Sequence, residues 1–465
     1  MHSEGHLKRV LGGTQLSLIA MGGAIGTGLF MGSGFAISLA GPSVLISFAI
    51  GALIALLMMA CLAEMTVVDP QAGSFGRMAE TYLSPLAGVL VSYAYLSANI
   101  LAIGMEGTAI ALCMKLWFPA VPGWWWILAS SITLVLINLA TVRAFAIVES
   151  SFASIKIVAI VLFIVLGTIY VATAPAGTGV GIANYTAAGG FFPHGLSGTW
   201  MAVVIALLSF GGVEVIAVAA GEARDPRKAI VQALRMTFVR LALFYLITIA
   251  IILAIAPWTM VGSKVSPFVT VMSHAGLKRA ADLLNFLVLV AASSAMNSQL
   301  YASSRMAFSL ADAGHAPSWF AVVNSRGVPA RALMLASVGM MLAGGIYAAY
   351  PEDALEMLIA LSVFGLLFTW LMIFVSHFSF RTKFKADELP FRIRGFPYFT
   401  LLGAGLISAV TITTLFMPAF RLAVICGVPF LALVAVLYFA FNRAGAQSLP
   451  DTDMPSGVAS VEIIS

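Results

Sequence analysis

Charge is scarce in this chain. Asp, Glu, Lys and Arg make up 9% of its 465 residues, against about 25% in an ordinary soluble domain. With apolar residues at 61% and a mean hydropathy of +1.03, the deficit excludes a soluble globular fold and implies a polytopic membrane protein. Cysteine is nearly missing: Cys61, Cys113 and Cys426 lie in or at the ends of apolar runs without metal-ligand spacing. They read as small buried hydrophobes rather than a disulfide framework or metal site. No HExxH, no paired intramembrane histidines and no adjacent aspartates occur, which leaves an intramembrane hydrolase without a nucleophile–base pair or metal cluster. His194, His274, His315 and His377 fall in loops or at expected helix ends and read as interfacial residues. No cleavable signal peptide is evident, because the apolar stretch after Lys8 and Arg9 is long enough to span. No soluble domain or low-complexity region stands out.

What is abundant is membrane-length apolar sequence. Twelve runs are expected to span, at about 16–39, 42–63, 84–115, 124–142, 151–173, 198–220, 237–257, 281–305, 331–350, 354–379, 397–417 and 421–442. The third and tenth are long enough to tilt or protrude. The net charge of +5 is distributed unevenly. Lys115, Lys264, Lys278, Arg279 and Arg421 fall on the side opposite the termini, and Lys156 falls inside a span. The rest of the 24 Lys and Arg residues fall on the side of the termini. That asymmetry places both termini in the cytoplasm, and it reflects orientation rather than nucleic-acid binding. Trp124, Trp125 and Trp126 are expected to anchor one membrane face, and Phe191-Phe192-Pro193-His194 to lie at an interface. The organisation expected is a cytoplasmic segment over 1–15, a core over 16–379, a loop with the last two spans over 380–442, and a polar, disordered tail over 443–465.

Two of these runs are interrupted. Gly22-Gly23-Ala24-Ile25-Gly26-Thr27-Gly28 puts four glycines into the first span, each costing about 1 kcal/mol in a helix relative to alanine. Non-helical backbone at membrane depth is tolerated only where protein buries it or it lines a cavity. Close packing of small residues would also explain the glycines. Ser209-Phe210-Gly211-Gly212-Val213-Glu214 interrupts the sixth span in the same manner. Paired Gly-interrupted segments in corresponding halves point to a binding site. A five-helix unit reverses direction when repeated, so the two halves would be inverted. The N-terminal end of a half-helix offers free N–H groups suited to a carboxylate, and the C-terminal end offers carbonyls suited to an ammonium group. Both ends together suit a zwitterion such as an α-amino acid. The amides of Gly26, Thr27 and Gly28 would then take the carboxylate, and carbonyls near Ala24 and at Ser209 to Phe210 the amino group. Ile25, Gly211 and Gly212 complete this candidate site.

GAIGTGLF, SFGGVE followed by GEARDP, and NSQLYASSRM followed by RGVP resemble the amino-acid permease branch of the amino acid–polyamine–organocation superfamily. The resemblance runs in order from about residue 7 to about residue 380. It implies an all-α fold of twelve transmembrane helices, a five-plus-five inverted repeat with helices one and six broken, and inward amino acid transport coupled to protons rather than sodium.

Three charges lie well inside apolar runs, where each is a functional candidate by default. Lys156 in span five reads either as a structural salt-bridge partner or, by the resemblance, as a fixed ammonium where sodium would otherwise link helices one and eight. In that role it would also release and accept a proton, with Ser294 on span eight as a hydroxyl partner. Glu106 in span three carries the coupling proton, contacts the substrate amine, or is structural. Glu214 carries a proton or hydrogen-bonds the free amides of the second break. The resemblance gives Phe210 a gating role over the substrate; core packing is the alternative. Glu222-Ala223-Arg224-Asp225-Pro226, Glu64 and Arg77 are candidates for a cytoplasmic gate.

The function expected is secondary active import of an amino acid across the cytoplasmic membrane by proton symport, with the lipid bilayer, the amino acid and the proton as partners and no cofactor. A neutral amino acid is expected, since no intramembrane arginine is set for an acidic side chain and no second acidic residue for a basic one. A sodium-coupled or exchange-type amino acid or amine carrier of the same fold is the alternative. A membrane-embedded receptor or enzyme leaves the paired breaks unexplained.

Overall fold

The computed structural model describes residues 18, 23, 25–68, 74–175, 178–220, 243–262, 265–384, 389 and 392–447. Ala24, the 222–226 loop, the segment 1–15 and the tail beyond 447 therefore lie outside the described residues. All regular structure among those described is helical. Among the described residues, ten continuous helical stretches are long and apolar enough to cross a membrane, and Leu243–Ile255 is a shorter apolar helix.

In chain order the helices are α1 (Ser33–Ala40), α2 (Val44–Val68), α3 (Ser74–Tyr82), α4 (Pro85–Trp117), α5 (Gly123–Ala140), α6 (Val142–Thr173), α7 (Gly195–Phe210) and α8 (Val215–Ala220). There follow α9 (Leu243–Ile255), α10 (Pro267–His274), α11 (Lys278–Asp312), α12 (Ala330–Ala336), α13 (Val338–Ala349), α14 (Ala354–Lys383), α15 (Tyr398–Phe416) and α16 (Pro418–Gln447). A wide turn at Gly28–Gly32 precedes α1. Helix α16 continues past the expected boundary at 442. The chain turns between α1 and α2 at Gly41, whose φ of +61° favours glycine.

Local chemistry sets several of these ends. The Ser84 hydroxyl accepts the Ala87 amide at 3.2 Å, and Pro85 occupies the first helical position of α4. Thr141 caps α6 in the same way, accepting the Ala144 amide at 2.9 Å. That cap starts the helix at Val142 rather than near 151, so Glu149 belongs to a spanning helix.

Helix α4 is central, packed against α11, α14, α13 and α3. Small residues allow the close crossings: a Cβ on Gly104 would sit 2.7 Å from the Gly339 carbonyl oxygen. The outward faces of α5, α6 and α16 carry exposed Leu136, Leu166 and Val436, which suits a surface covered by lipid chains rather than water. Trp124 and Trp125 stack on that exterior with ring centroids 4.0 Å apart. Cys61 and Cys113 are buried, whereas Cys426 is exposed on α16, contrary to its reading as a buried hydrophobe.

A buried ionic cluster ties α2 to α14. Arg381 Nη1 donates to Glu64 Oε1 at 2.6 Å, and the Ile393 amide donates to Glu64 Oε2 at 2.8 Å. His377 lies 3.5 Å from the same carboxylate, and its Nδ1 is 3.0 Å from Thr400 Oγ1. The expectation that His377 is interfacial is thus corrected: it is buried, because Glu64 and Thr400 give both ring nitrogens polar neighbours.

Candidate functional site

The two interruptions meet. Ser209 Oγ, at the end of α7, donates to the Gly28 carbonyl at 2.8 Å. A Cβ on Gly28 would stand 2.5 Å from Ser209 Cα, and one on Gly23 would stand 3.3 Å from the Gly212 carbonyl oxygen. The glycines therefore permit backbone-to-backbone approach of the two broken segments. Gly212 itself adopts φ +97°, a conformation that L-residues rarely tolerate. Its amide, freed by the end of α7, donates to both carboxylate oxygens of Glu214 at 3.1 Å. The Trp370 indole and Tyr95 hydroxyl face that carboxylate.

A cavity of about 50 Å³ lies where these segments meet α4, α11 and α14. Gly23, Gly26, Gly28, Ser209, Gly211, Gly212, Glu106 and Glu214 line it, joined by Ala98, Asn99, Ala102, Met105, Leu208, Gln299, Ser362 and Leu366. At about 10–15 Å³ for each water centre, it has room for a few waters. Both its charged side chains are carboxylates. Glu214 serves the Gly212 amide, while the Glu106 carboxyl faces the Thr27 amide and hydroxyl. Glu106 Oε2 and Gln299 Oε1 are buried without a hydrogen-bond partner among the described residues. An acceptor in that condition costs about 1–3 kcal/mol. A larger groove of about 530 Å³ between α5 and α13 is largely apolar, carries no charged side chain, and lies away from both breaks.

Other expected site residues take different places. Ile25 does not line the cavity; its carbonyl accepts Lys156 Nζ at 2.8 Å. Phe210 is also absent from the lining. Its ring stacks on Tyr245 with centroids 4.7 Å apart and leans toward Phe48. In this conformation the aromatic packs away from the cavity it was expected to close. The Ser209 carbonyl, expected to hold an amino group, accepts the Tyr245 hydroxyl at 2.7 Å, leaving one lone pair. Glu64, a candidate for the cytoplasmic gate, pairs with Arg381.

Lys156 is fully buried on α6. Besides Ile25, it donates to Ser294 Oγ on α11 at 2.8 Å, so it joins the first break to α11. Sequence reading missed the group behind this pair. Ser294 Oγ donates to Glu149 Oε1 at 2.5 Å, and Asn297 Nδ2 donates to Glu149 Oε2 at 2.9 Å. Asn138 Nδ2 donates to Asn297 Oδ1 at 2.7 Å, which fixes the Asn297 amide with its nitrogen toward Glu149. Glu149 lies seven residues before Lys156, two turns along one helix face, and that spacing was the available signal.

A helical membrane protein with a polar cavity between two touching, interrupted helices has the architecture of a small-solute carrier. The chain belongs to the amino acid permease family, whose model matches residues 15–450. It is 36% identical over 439 residues to an uncharacterized amino acid permease, YtnA, of Bacillus subtilis, covering 93% of this chain and 95% of the relative. It is 34% identical over 450 residues to the aromatic amino acid transport protein AroP of Escherichia coli, covering 96% and 98%. It is 35% identical over 442 residues to the probable threonine/serine transporter YbxG of Bacillus subtilis, covering 94% and 95%. The likeness thus extends through the last two apolar runs, beyond the motifs that end near residue 380. The chain is a multi-pass membrane permease for amino acids and not an enzyme.

Proposed function

We propose that this permease imports a neutral amino acid across the cytoplasmic membrane by proton symport, with alternating access around the cavity between the two breaks. The observation that carries the reading is the contact of Gly28 with Ser209 beside a cavity lined by both segments. In this reading the Gly26, Thr27 and Gly28 amides bind the substrate carboxylate, the Thr27 amide turning to it from the Glu106 carboxyl that it faces here. Glu106 Oε2 and the carbonyls of the second break receive the ammonium group. Glu106, Glu214 and Lys156 are the proton-carrying candidates. Neutral specificity is supported by the roles already filled at both lining carboxylates: Glu214 holds the Gly212 amide, and Glu106 in this reading receives the substrate's α-ammonium, which leaves neither for a basic side chain. The aromatic and threonine/serine relatives are named for substrates with uncharged side chains. Side chains larger than the present cavity require α7 or α14 to shift, as rocking of one bundle against the other allows.

A twelve-span, five-plus-five inverted arrangement with both termini cytoplasmic is part of the same reading. Its support is the five-helix spacing of the breaks, the turn at Gly41 that divides Gly28–Val68, and the basic residues on the side of the termini. A transport core over 16–379, with α15 and α16 outside it, follows from this arrangement. Lys156 Nζ between Ile25 and Ser294 supports proton over sodium coupling, because an ammonium fills the position between the first break and α11.

Counterflow into proteoliposomes with a panel of amino acids tests the function. Saturable exchange of one or a few neutral amino acids is expected, and no exchange with any of them would overturn the reading. Net uptake should be unchanged when sodium is omitted and should collapse on adding a protonophore. A strict sodium requirement would instead favour the sodium-coupled alternative.

A further inference from the structure

Glu149 is not among the residues that line the cavity between the breaks, yet it is wholly buried. A buried carboxylate held by three polar neighbours is costly unless it has a counter-charge. Its counter-charge is Lys156, reached through one hydroxyl. The hydrogen bonds run in one direction: Lys156 Nζ donates to Ser294 Oγ, and Ser294 Oγ donates to Glu149 Oε1. The same Nζ also donates to the Ile25 carbonyl of the first break. One ammonium therefore connects the hinge of the candidate substrate site to an acceptor outside that site.

We propose that Glu149 is a proton site of the transport cycle, loaded from Lys156 through the Ser294 hydroxyl. The step conserves atoms and charge. An Nζ–H bond breaks and its proton forms a new O–H bond at Ser294. The original Ser294 proton moves to Glu149 Oε1, leaving a neutral amine, an intact hydroxyl and a neutral carboxylic acid. Asn297, oriented by Asn138, holds the second carboxyl oxygen, and Ser298 faces it as well. The charged groups bearing on Lys156 are Glu149 on its own helix and Glu106 on α4; the one bearing on Glu149 is Lys156. From α11 and α5, Ser294, Asn297, Ser298 and Asn138 contribute neutral polar groups. When Lys156 loses its charge, its hold on the Ile25 carbonyl weakens from a charge-assisted hydrogen bond to a neutral one, which ties proton movement to the hinge.

The inference rests on the proton-symport reading, so two readouts are needed. Wild type, Glu149→Gln, Glu149→Asp and Ser294→Ala are reconstituted in proteoliposomes. Counterflow is compared with initial uptake driven by an imposed pH gradient, across a pH series. For Glu149→Gln, driven uptake is expected to fall at least about tenfold, within the range for losing a positioned proton-transfer group, while counterflow falls far less. The pH dependence should flatten, Glu149→Asp should recover part of it, and Ser294→Ala should reproduce the loss with both charges in place. Driven uptake and pH profile like wild type in Glu149→Gln or Ser294→Ala would overturn the relay. So would a parallel fall of both readouts in all three variants, which marks a structural role alone. Counterflow by wild type without any pH-driven uptake would instead remove the symport reading and the relay with it.

Discussion

Lys156→Ala is expected to abolish concentrative uptake. The ammonium is fully buried and is the group that joins the first break, through the Ile25 carbonyl at 2.8 Å, to Ser294 on α11. Removing it does two things. It releases the hinge carbonyl from its cationic donor, and it leaves Glu149 as a buried charge without its counter-ion. Breaking a buried pair by deleting one partner costs about 3–5 kcal/mol. An arginine is not expected to rescue uptake, because its guanidinium keeps its proton and demands a planar fork of acceptors. Accumulation should be measured per folded transporter, using protein that remains monodisperse in detergent. Near-normal accumulation by such protein would contradict the role given to Lys156.

The second large effect is expected at Gly28. A methyl group there would meet Ser209 Cα at 2.5 Å and the Ser209 side chain at 3.1 Å. The nearest atom is backbone, so no side-chain rotation relieves the contact, and the two broken segments must separate. Overpacking of this kind costs about 1–3 kcal/mol. Where the breaks must touch for the rate-limiting step, at about tenfold in rate for each 1.4 kcal/mol, Gly28→Ala should lower transport by about fivefold to a hundredfold. Gly345→Ala on α13 is the matched control, since its added methyl group meets nothing within 4 Å. Equal initial rates for the two variants would show that contact of the breaks at Gly28 is unimportant.

The sequence was most informative where it departed from apolar helix chemistry. Glycine runs marked both breaks because glycine is costly in a helix. Lys156, Glu106 and Glu214 stood out because charge is costly in a bilayer. Glu149 was missed for a local reason. With the helix start set near 151, it appeared to lie in a loop beside Arg143, whereas the Thr141 cap carries the helix back to Val142. The Glu64–Arg381–His377 cluster could not be read, because its partners lie 317 residues apart or come together only through packing of α2 on α14. Nor could the direction of the Phe210 ring, which depends on Tyr245 from a separate helix. Spacing along the chain indicated that two broken segments belong together. Their contact through a serine hydroxyl, and the use of several of their carbonyls by Lys156, Ser209 and Tyr245, are properties of packing.

The central claim is that the substrate binds in the cavity between the breaks, and protection of a thiol placed there tests it most directly. Ala102 lines the cavity on α4. Cys61 and Cys113 are buried, so a Cys426→Ser background removes the exposed native thiol. In that background, the rate of maleimide labelling at Ala102→Cys is measured with and without each amino acid active in counterflow. Transported amino acids are expected to slow labelling in proportion to their occupancy, while non-transported ones leave it unchanged. A thiol from Ile182→Cys, exposed in the loop between α6 and α7, should label at the same rate throughout. Labelling at Ala102→Cys that a saturating transported amino acid does not slow would contradict the location of the site.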